Sequence, residues 1–198
     1  MFISVAILIG GRATRYGGAD KSALIVSGRS ILEHQLEAAR SVTDDILIVG
    51  RTGQAAAVPG VRAVTDRVAD AGPLGGLDAA LAAAHGDAVL LLACDMPRVT
   101  GDFLDALALL APVADAVVPK TERGYHPLCA VYRRRCHPVV ARRLAAGQWK
   151  MLELLNDLSV RAVTTHELEP FGDPPRLLAN VNTPAAHDEL TTLPGHKA

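Results

Sequence analysis

Short apolar runs alternate along this chain with segments in which apolar residues recur at helical spacing. A continuous apolar run of about four to eight residues predicts a buried strand of the kind found in parallel sheets. The runs predicted to be strands are 3–9, 46–49, 61–65, 88–94, 116–118, 128–132, 159–163 and 177–181. The run 88–94 is the most apolar of them and is expected at the centre of the sheet.

Helical spacing between these runs predicts the helices. Ser30, followed three residues later by Glu33, matches a capping box and opens an apolar face that continues to residue 40. The segment 72–76, Gly-Pro-Leu-Gly-Gly, is interpreted as a turn, and 195–198 as a frayed end. The other predicted helices cover 77–84, 102–110, 139–146, 151–158 and 185–193.

The alternation of strand and helix predicts an α/β fold. A mostly parallel central sheet with helices on both faces is expected, in a three-layer, Rossmann-like arrangement. The 198 residues are enough for one domain with a sizeable core, so a single domain over 1–198 is expected. Ligands of such sheets bind in the crevice beyond the carboxyl ends of the strands. Polar residues that directly follow a strand are therefore the candidates for function.

Composition and charge exclude several classes of protein. A net charge of −1 excludes a strongly basic nucleic-acid-binding protein. No apolar run approaches the roughly 20 residues of a membrane helix, and no basic segment precedes the run 3–9, so a signal peptide is not expected. Cys94, Cys129 and Cys136 show no C-x-x-C spacing and are interpreted as thiols in a reducing cytoplasm.

The segment 10–21 carries the strongest functional signal. It contains four glycines, Arg12, Arg15 and Lys21, directly after the first predicted strand. Glycine lets a backbone come close to a ligand, and backbone N–H groups beside cationic side chains suit a polyphosphate. A Gly-rich surface connection would explain the glycines but not the three cations. A nucleotide site is therefore the preferred interpretation.

Two familiar nucleotide loops do not match this segment. The P-loop needs Gly directly before its Lys, whereas Asp20 precedes Lys21 here, although Ser22 follows. The dinucleotide fingerprint G-x-G-x-x-G also fails, because Gly10-Gly11 is followed by Arg-Ala-Thr-Arg. A dehydrogenase built on this sheet is therefore disfavoured.

Two carboxylates directly follow predicted strands. Asp95 follows the run 88–94, where a carboxylate can hold Mg²⁺ beside bound phosphates; the alternative is that it caps the following turn. Asp66 could accept hydrogen bonds from ribose hydroxyls or from the N–H edge of guanine, unless it is only a solvated loop carboxylate. Beside the glycine-rich segment, the metal interpretation of Asp95 is preferred.

Two further polar clusters flank predicted strands. His126 lies in a Tyr-His-Pro-Leu segment, and Asn180 and Asn182 lie at the last predicted strand. Histidine at such a position is most often a satisfied structural residue, and Thr183-Pro184 by itself indicates a helix start. The helix start leaves the two asparagines unexplained. His126, Asn180 and Asn182 are therefore candidates for binding an acceptor substrate.

The order and spacing of these motifs resemble those of the MobA-like nucleotidyltransferases, and among them of the molybdenum cofactor guanylyltransferases, over nearly the whole chain. The resemblance implies a fold of the nucleotide-diphospho-sugar transferase type. It also implies transfer of GMP from MgGTP to the terminal phosphate of molybdopterin, with release of pyrophosphate. The matching motifs are Leu8-x-Gly10-Gly11, Arg15-x-Gly17, Asp20-Lys21, Asp66, 72–76, 94–97, 126–128 and 180–184.

The resemblance implies roles for individual residues. Asp95 would bind Mg²⁺, with Mn²⁺ able to replace it. The implied partners are GTP and molybdopterin, with transient contact to other molybdenum cofactor proteins and none to nucleic acid or membrane. The Gly10-Gly11 pair resembles that of guanine-using members, whereas related cytidylyltransferases tend to have Ala-Gly. The residues implied to bind GTP are Leu8, Ile9, Gly10, Gly11, Lys21, Asp66 and Asp95.

The residue inventory fits in-line attack by a phosphate oxygen of the acceptor on the α-phosphorus of GTP. A phosphate monoester has a second pKa near ~6, so it is largely ionised at neutral pH and needs no strong base. Arg15, Lys21 and a metal on Asp95 would offset the repulsion between the two anions, and these three residues form the predicted catalytic set. The alternatives left open are a CTP-dependent cytidylyltransferase of the same fold and a non-catalytic GTP-binding module.

Overall fold

The computed structural model describes residues 1–9, 23–50, 58–68 and 70–181. Eight of the described strands form one sheet in the order β10-β7-β9-β6-β1-β4-β5, with β8 paired to β7, and β2 pairs with β3 in a separate hairpin. The strands are β1 (Ile3–Leu8), β2 (Ile25–Val26), β3 (Arg29–Ser30), β4 (Ile46–Gly50), β5 (Val61–Thr65), β6 (Ala88–Ala93), β7 (Ala116–Thr121), β8 (Gly124–Tyr125), β9 (Cys129–Arg133) and β10 (Val160–Val163).

The sheet is mostly parallel, as the sequence predicts. β1 pairs in parallel with both β4 and β6, β4 with β5, and β7 with β10. The strand β9 runs antiparallel to its neighbours β6 and β7, and β8 is antiparallel to β7. The run 88–94 forms β6 and lies inside the sheet between β1 and β9.

Helices cover both faces of the sheet. The capping box before the first helix is confirmed, since Glu33 N donates to Ser30 Oγ at 3.2 Å and Ser30 N donates to Glu33 Oε2 at 2.7 Å. The helices are α1 (Ile31–Arg40), α2 (Gly72–Ala83), α3 (Gly101–Leu109), α4 (His137–Ala145), α5 (Met151–Leu154), α6 (Thr165–Leu168) and α7 (Pro174–Leu177).

The side chains of β1 divide between two core layers. Val5 and Ile7 pack with α1 and α3 on one face of the sheet, and Ala6 packs with α2 and α4 on the other. This division follows from the pleat, because successive side chains of a strand point to opposite faces. The predicted three-layer α/β fold is therefore confirmed.

The interpretation of 72–76 as a turn is wrong, because α2 begins at Gly72. Pro73 fits the first turn of a helix, where its missing N–H needs no intrahelical partner. A Cβ added at Gly76 would lie 2.8 Å from Leu8 Cδ2. The glycine therefore allows the helix to pack closely on β1.

The predicted strand over 177–181 is also wrong. Asp173 caps the short helix α7 by accepting from Arg176 N at 3.1 Å, and Pro174 occupies its first turn. The helix extends to Leu177, and residues 178–181 join no strand of the described chain. Instead, Val181 N donates to Asp95 O at 2.8 Å. The helix predicted over 151–158 is shorter, ending at Leu154 with a 3₁₀ turn after it.

The predicted helix over 185–193 and the predicted frayed end lie outside the described residues. Across the ranges that the structure does describe, the helices are too short or too polar to cross a lipid bilayer.

Candidate nucleotide site at the carboxyl edge of the sheet

The candidate site lies where the chain turns in opposite directions from two adjacent parallel strands. β4 and β5 lie on one side of β1, and β6 lies on its other side. Such a switch point leaves a crevice outside the carboxyl ends of the two central strands, and ligands bind there in open α/β sheets. The residues at this edge are Leu8, Ile9, Gly50, Asp66 and Asp95.

The end of β1 is fixed between both neighbouring strands. Ile9 N donates to Val49 O at 2.8 Å, and Leu8 O accepts from Cys94 N at 3.1 Å. The two side chains belong to opposite core layers, Ile9 on the α1 face and Leu8 on the α2 face. The chain therefore enters the segment that begins at residue 10 from a rigid position.

Gly50 is a site-edge residue that the sequence reasoning missed. A Cβ at this position would lie 2.8 Å from Ile9 Cγ1 and 2.9 Å from the main-chain Ile9 O. The neighbouring Val49 is 1% exposed and packs in the α2 layer. The end of β4 therefore contributes close backbone packing to this edge, and its side chains contribute no polar group.

Asp66 directly follows β5 and is half-buried. Its N–H donates to Gly50 O at 3.0 Å, which continues the β4–β5 pairing by one residue. The connection after it is tied to α2, because Arg67 Nη1 lies 3.6 Å from Asp78 Oδ2. Asp78 is itself 4% exposed and lies 2.9 Å from His137 Nε2. The main chain at Asp66 is therefore held by β4 on one side, through Gly50 O, and the next residue, Arg67, is paired with α2 on the other.

Asp95 lies in a turn at the end of β6 and is half-buried between buried Cys94 and Met96. Gln35 of α1 reaches this turn and donates from Nε2 to Ala93 O at 2.7 Å and to Met96 O at 3.2 Å. The role of Gln35 was not predicted from the sequence. A polar residue on the otherwise apolar face of α1 was the available signal, but its partners lie about 60 residues further along the chain.

Asp95 and Asp66 cannot share one metal ion. They follow β6 and β5, which are separated in the sheet by β1 and β4. Three strand spacings of about 4.8 Å place the two strand ends about 14 Å apart, whereas Mg²⁺ binds oxygen at about 2.1 Å. Among the residues that the structure describes, no group of three or more His, Cys, Asp or Glu side chains could hold a metal. Asp95 fits a metal that substrate phosphates also coordinate, since Mg²⁺ commonly uses only one or two protein carboxylates in such sites.

His126 lies near the carboxyl end of β6, because Leu128 O, two residues on, accepts from Ala93 N at 2.8 Å. The ring Nε2 of His126 lies 2.9 Å from Thr121 Oγ1, and the main-chain N–H of His126 donates to Pro119 O. Burial, and to a smaller extent the positive charge of Arg123, lower the pKa of His126. The ring is therefore neutral at neutral pH and already has one polar partner.

Asn180 is exposed and directly precedes Val181, whose N–H is bonded to Asp95 O. The structure thus brings Asn180 to the Asp95 turn, while its role in binding an acceptor stays a prediction. The other predicted site residues, Gly10, Gly11, Arg15, Lys21 and Asn182, lie outside the described residues.

Comparison with known proteins gives consistent results. A family model described as MobA-like NTP transferase domain matches residues 5–167. The probable molybdenum cofactor guanylyltransferase of Methanothermobacter thermautotrophicus is 36% identical over 177 residues, which cover 84% of this chain and 89% of that protein.

Two solved structures extend the comparison to the fold. Molybdopterin-guanine dinucleotide biosynthesis protein A from Archaeoglobus fulgidus has a TM-score of 0.78 and 25% identity, with 95% of this chain and 96% of that chain covered. The 2-C-methyl-D-erythritol 4-phosphate cytidylyltransferase from Thermus thermophilus has a TM-score of 0.71 at 17% identity, covering 96% of this chain and 98% of that chain. At that identity, the second likeness concerns the fold alone.

Proposed function

This chain belongs to the family of MobA-like NTP transferase domains, and from that premise we propose that it transfers GMP from GTP to the terminal phosphate of molybdopterin. The observation that carries the proposal is the arrangement at the carboxyl edge of the sheet. The end of β1, the Asp95 turn and the main chain at Val181 are joined there by Cys94 N–Leu8 O and Val181 N–Asp95 O hydrogen bonds. Three segments distant in sequence thus meet where this family of folds binds ligands.

The reaction needs positioning and charge compensation more than proton transfer. An oxygen of the acceptor phosphate forms a bond to the α-phosphorus of GTP, the bond from that phosphorus to the α–β bridging oxygen breaks, and pyrophosphate leaves. The attacking monoester is already largely ionised at neutral pH. No described side chain has to remove a proton from it.

Asp95 would hold a divalent cation, Mg²⁺ in preference with Mn²⁺ able to replace it, and that ion would neutralise charge on the phosphates when bound. Arg15 and Lys21 would stabilise the leaving pyrophosphate from the segment that follows β1. Asp66, about 14 Å away along the sheet edge, would bind the ribose or the guanine. Leu8, Ile9, Gly10 and Gly11 would contact the nucleotide through the main chain.

The cysteines suit an enzyme that works in a reducing cytoplasm. Cys94, Cys129 and Cys136 are all buried, with no disulfide between them. Burial raises the pKa of Cys129 and of Cys136 to about 12. Thiols with such pKa values are protonated and inert, so the proposal assigns them to packing in a compartment where thiols persist.

The test is incubation with MgGTP and molybdopterin, followed by mass detection of the dinucleotide product and measurement of released pyrophosphate. CTP added in competition separates the proposal from its rival, a cytidylyltransferase of the same fold. Formation of a cytosine dinucleotide in preference to the guanine one would overturn the choice of nucleotide. Nucleotide binding without pyrophosphate release in the presence of acceptor would indicate a non-catalytic module.

We expect Asp95→Asn to fold normally and to lose turnover by a factor on the order of 10²–10³, the effect of removing one preorganised charge-stabilising group. The measurement is kcat with saturating GTP and acceptor over a range of Mg²⁺ concentrations. Asp105→Asn, at an exposed position of α3, is the matched control and should leave kcat unchanged. Undiminished transfer by Asp95→Asn would contradict the assigned metal site.

A further inference from the structure

We propose that Gln35 is a positioning residue that fixes the Asp95 turn and so sets the metal affinity of the site, an inference that rests on the proposed function. Its amide nitrogen contacts two carbonyl oxygens of one turn, Ala93 O at 2.7 Å and Met96 O at 3.2 Å. These two residues bracket Asp95 in the sequence. The Gln35 side chain therefore closes the turn from which the predicted metal ligand projects.

The burial of Gln35 shows that packing alone does not explain this residue. It is 0% exposed and lies on the face of α1 that also buries Ile31, Leu36 and Ala39. A buried amide is unfavourable unless its polar atoms are hydrogen-bonded. Among the described residues, Gln35 Oε1 has no hydrogen-bond partner, so an apolar side chain of similar size would avoid a cost. The amide is explained by the two carbonyl groups of the turn, Ala93 O and Met96 O, which accept hydrogen bonds from its nitrogen.

The carbonyl groups of the turn need such a donor because the strand pairing ends there. β6 ends at Ala93, and Cys94 N donates to Leu8 O at the end of β1. Beyond it, the turn is flanked by buried Cys94 and Met96, and the hydrogen bond from Gln35 to Met96 O is itself buried. Gln35 supplies two hydrogen bonds on the α1 side, and Val181 N supplies one to Asp95 O. Together they hold the main chain on both sides of the carboxylate.

The helix that carries Gln35 also contacts the chain that follows the segment 10–22. The preceding residue, His34, lies with Nε2 2.8 Å from Val26 O, and Ile31 N donates to Leu24 O at 2.9 Å. The first turns of α1 therefore hold the chain as it returns from the segment 10–22. The same helix fixes the Asp95 turn through Gln35. A shift of α1 would move the metal ligand and the returning segment together.

The test is the replacement Gln35→Met, which keeps the length of the side chain and removes both donors. We expect Mn²⁺ binding in the presence of GTP, followed by electron paramagnetic resonance, to weaken by about 10- to 100-fold, as for other residues that orient a metal ligand. The KM for GTP measured at saturating Mn²⁺ should change little. Gln148→Met, at an exposed position after α4, is the matched control and should bind Mn²⁺ as the wild type does.

Gln35→Asn provides a second variant if Gln35→Met does not fold. It keeps an amide but shortens the side chain by one methylene, so the nitrogen no longer reaches both carbonyls, and the same loss of Mn²⁺ affinity is expected. In the Asp95→Asn background, either replacement should cause no further loss, since the ligand that Gln35 positions is gone. A purely structural role would lower stability in both backgrounds and leave Mn²⁺ affinity unchanged, and that result would overturn the inference.

The two proposals fail in different ways. If the wild type forms the guanine dinucleotide and the folded Gln35 variants bind Mn²⁺ as tightly as it does, only the role of Gln35 is wrong. If the wild type binds Mn²⁺ with GTP, the Gln35 variants bind it weakly and no dinucleotide forms, only the proposed reaction is wrong.

Discussion

At the scale of single residues, a buried carboxylate with several hydrogen bonds lies at the amino-terminal ends of the strands, opposite the candidate site. Asp45 is 8% exposed and directly precedes β4. It accepts hydrogen bonds from Ser4 Oγ, from the Arg62 guanidinium at 2.6 Å and from His85 N at 3.0 Å. Burial alone would raise the pKa of Asp45, but these hydrogen bonds outweigh it, so the pKa lies below its ordinary value.

A carboxyl whose pKa is lower in the folded chain than in the unfolded chain stabilises the fold above the unfolded pKa, and that contribution is lost as the pH falls through the folded pKa. We expect Asp45→Asn to lower the free energy of unfolding by about 2–3 kcal/mol at pH 7, because buried donors lose a charged partner. The difference from the wild type should shrink as the pH falls below about 4. Urea unfolding at pH 7, 5 and 3.5 measures it.

Asp44→Asn is the control for this prediction, since Asp44 is the exposed neighbour of Asp45 in the same loop. Its replacement should change the free energy of unfolding by less than about 0.5 kcal/mol at every pH. An Asp45→Asn cost that is the same at pH 3.5 and pH 7 would contradict the lowered pKa.

At the scale of elements, Gly50 of β4 and Gly76 of α2 allow these two elements to pack closely against the carboxyl end of β1. At Gly50 of β4, an added Cβ would meet the main-chain Ile9 O at 2.9 Å. At Gly76 of α2, it would meet only the methyl end of the Leu8 side chain, at 2.8 Å. A backbone atom cannot yield without moving its strand, whereas a side-chain methyl can rotate away. The two contacts differ by only 0.1 Å in length, but they differ in what has to move.

We therefore expect Gly50→Ala to destabilise the protein by about 1–3 kcal/mol, the usual cost of overpacking. Gly76→Ala should cost less, because the helix gains about 1 kcal/mol of intrinsic propensity when Ala replaces Gly. Unfolding midpoints in urea for the two variants, made side by side, check the order. An equal or larger loss for Gly76→Ala would show that Leu8 cannot move and that α2 is fixed as rigidly as β4.

Three elements, β4, α1 and α2, show how far the sequence predicts the fold. β4 and α1 follow from local signals, an apolar run and the Ser30–Glu33 capping box, because their cause lies within the element. The start of α2 does not, because glycine and proline locally favour a turn and the packing of Gly76 on Leu8, 68 residues earlier in the chain, decides otherwise. The segment 177–181 was misassigned because its apolar residues resemble a strand.

The candidate site shows the same limit. Asp66 and Asp95 were predicted correctly to follow strands at one edge of the sheet, because a strand end can be read from the local pattern. Gln35 and Gly50 were missed, because their importance depends on contacts with Ala93, Met96 and Ile9 that only the folded chain creates. Residues that act through such contacts cannot be identified from a single sequence.

At the scale of the whole molecule, the order of the strands separates the functions of the two predicted carboxylates. Asp95 follows β6 and Asp66 follows β5, with β1 and β4 between them. The separation of about 14 Å is enough for a nucleotide to extend along the edge, with its phosphates at Asp95 and its nucleoside at Asp66. Under the proposed function, the order of the strands, and not any single motif, therefore sets the orientation of the bound nucleotide.

This orientation predicts that replacing Asp66 and replacing Asp95 impair different kinetic parameters. Asp66→Asn removes a charged hydrogen-bond acceptor, an effect of about 1.5–3 kcal/mol, so the KM for GTP should rise by about 10- to 100-fold. The Mg²⁺ concentration that gives half-maximal activity should stay as in the wild type. Asp95→Asn should instead lower kcat and abolish the normal response to Mg²⁺. Initial rates over a grid of GTP and Mg²⁺ concentrations separate the two effects.

Asp105→Asn on α3 again serves as the control and should match the wild type over the whole grid. A changed Mg²⁺ response in Asp66→Asn would mean that Asp66 also contacts the metal. Since one ion cannot bridge strand ends about 14 Å apart, that result would require either a second metal ion or a nucleotide bound in the reverse direction. Mn²⁺ titration of the two variants by electron paramagnetic resonance distinguishes these two explanations. A second metal ion changes the number of Mn²⁺ ions bound per protein chain, whereas a reversed nucleotide does not.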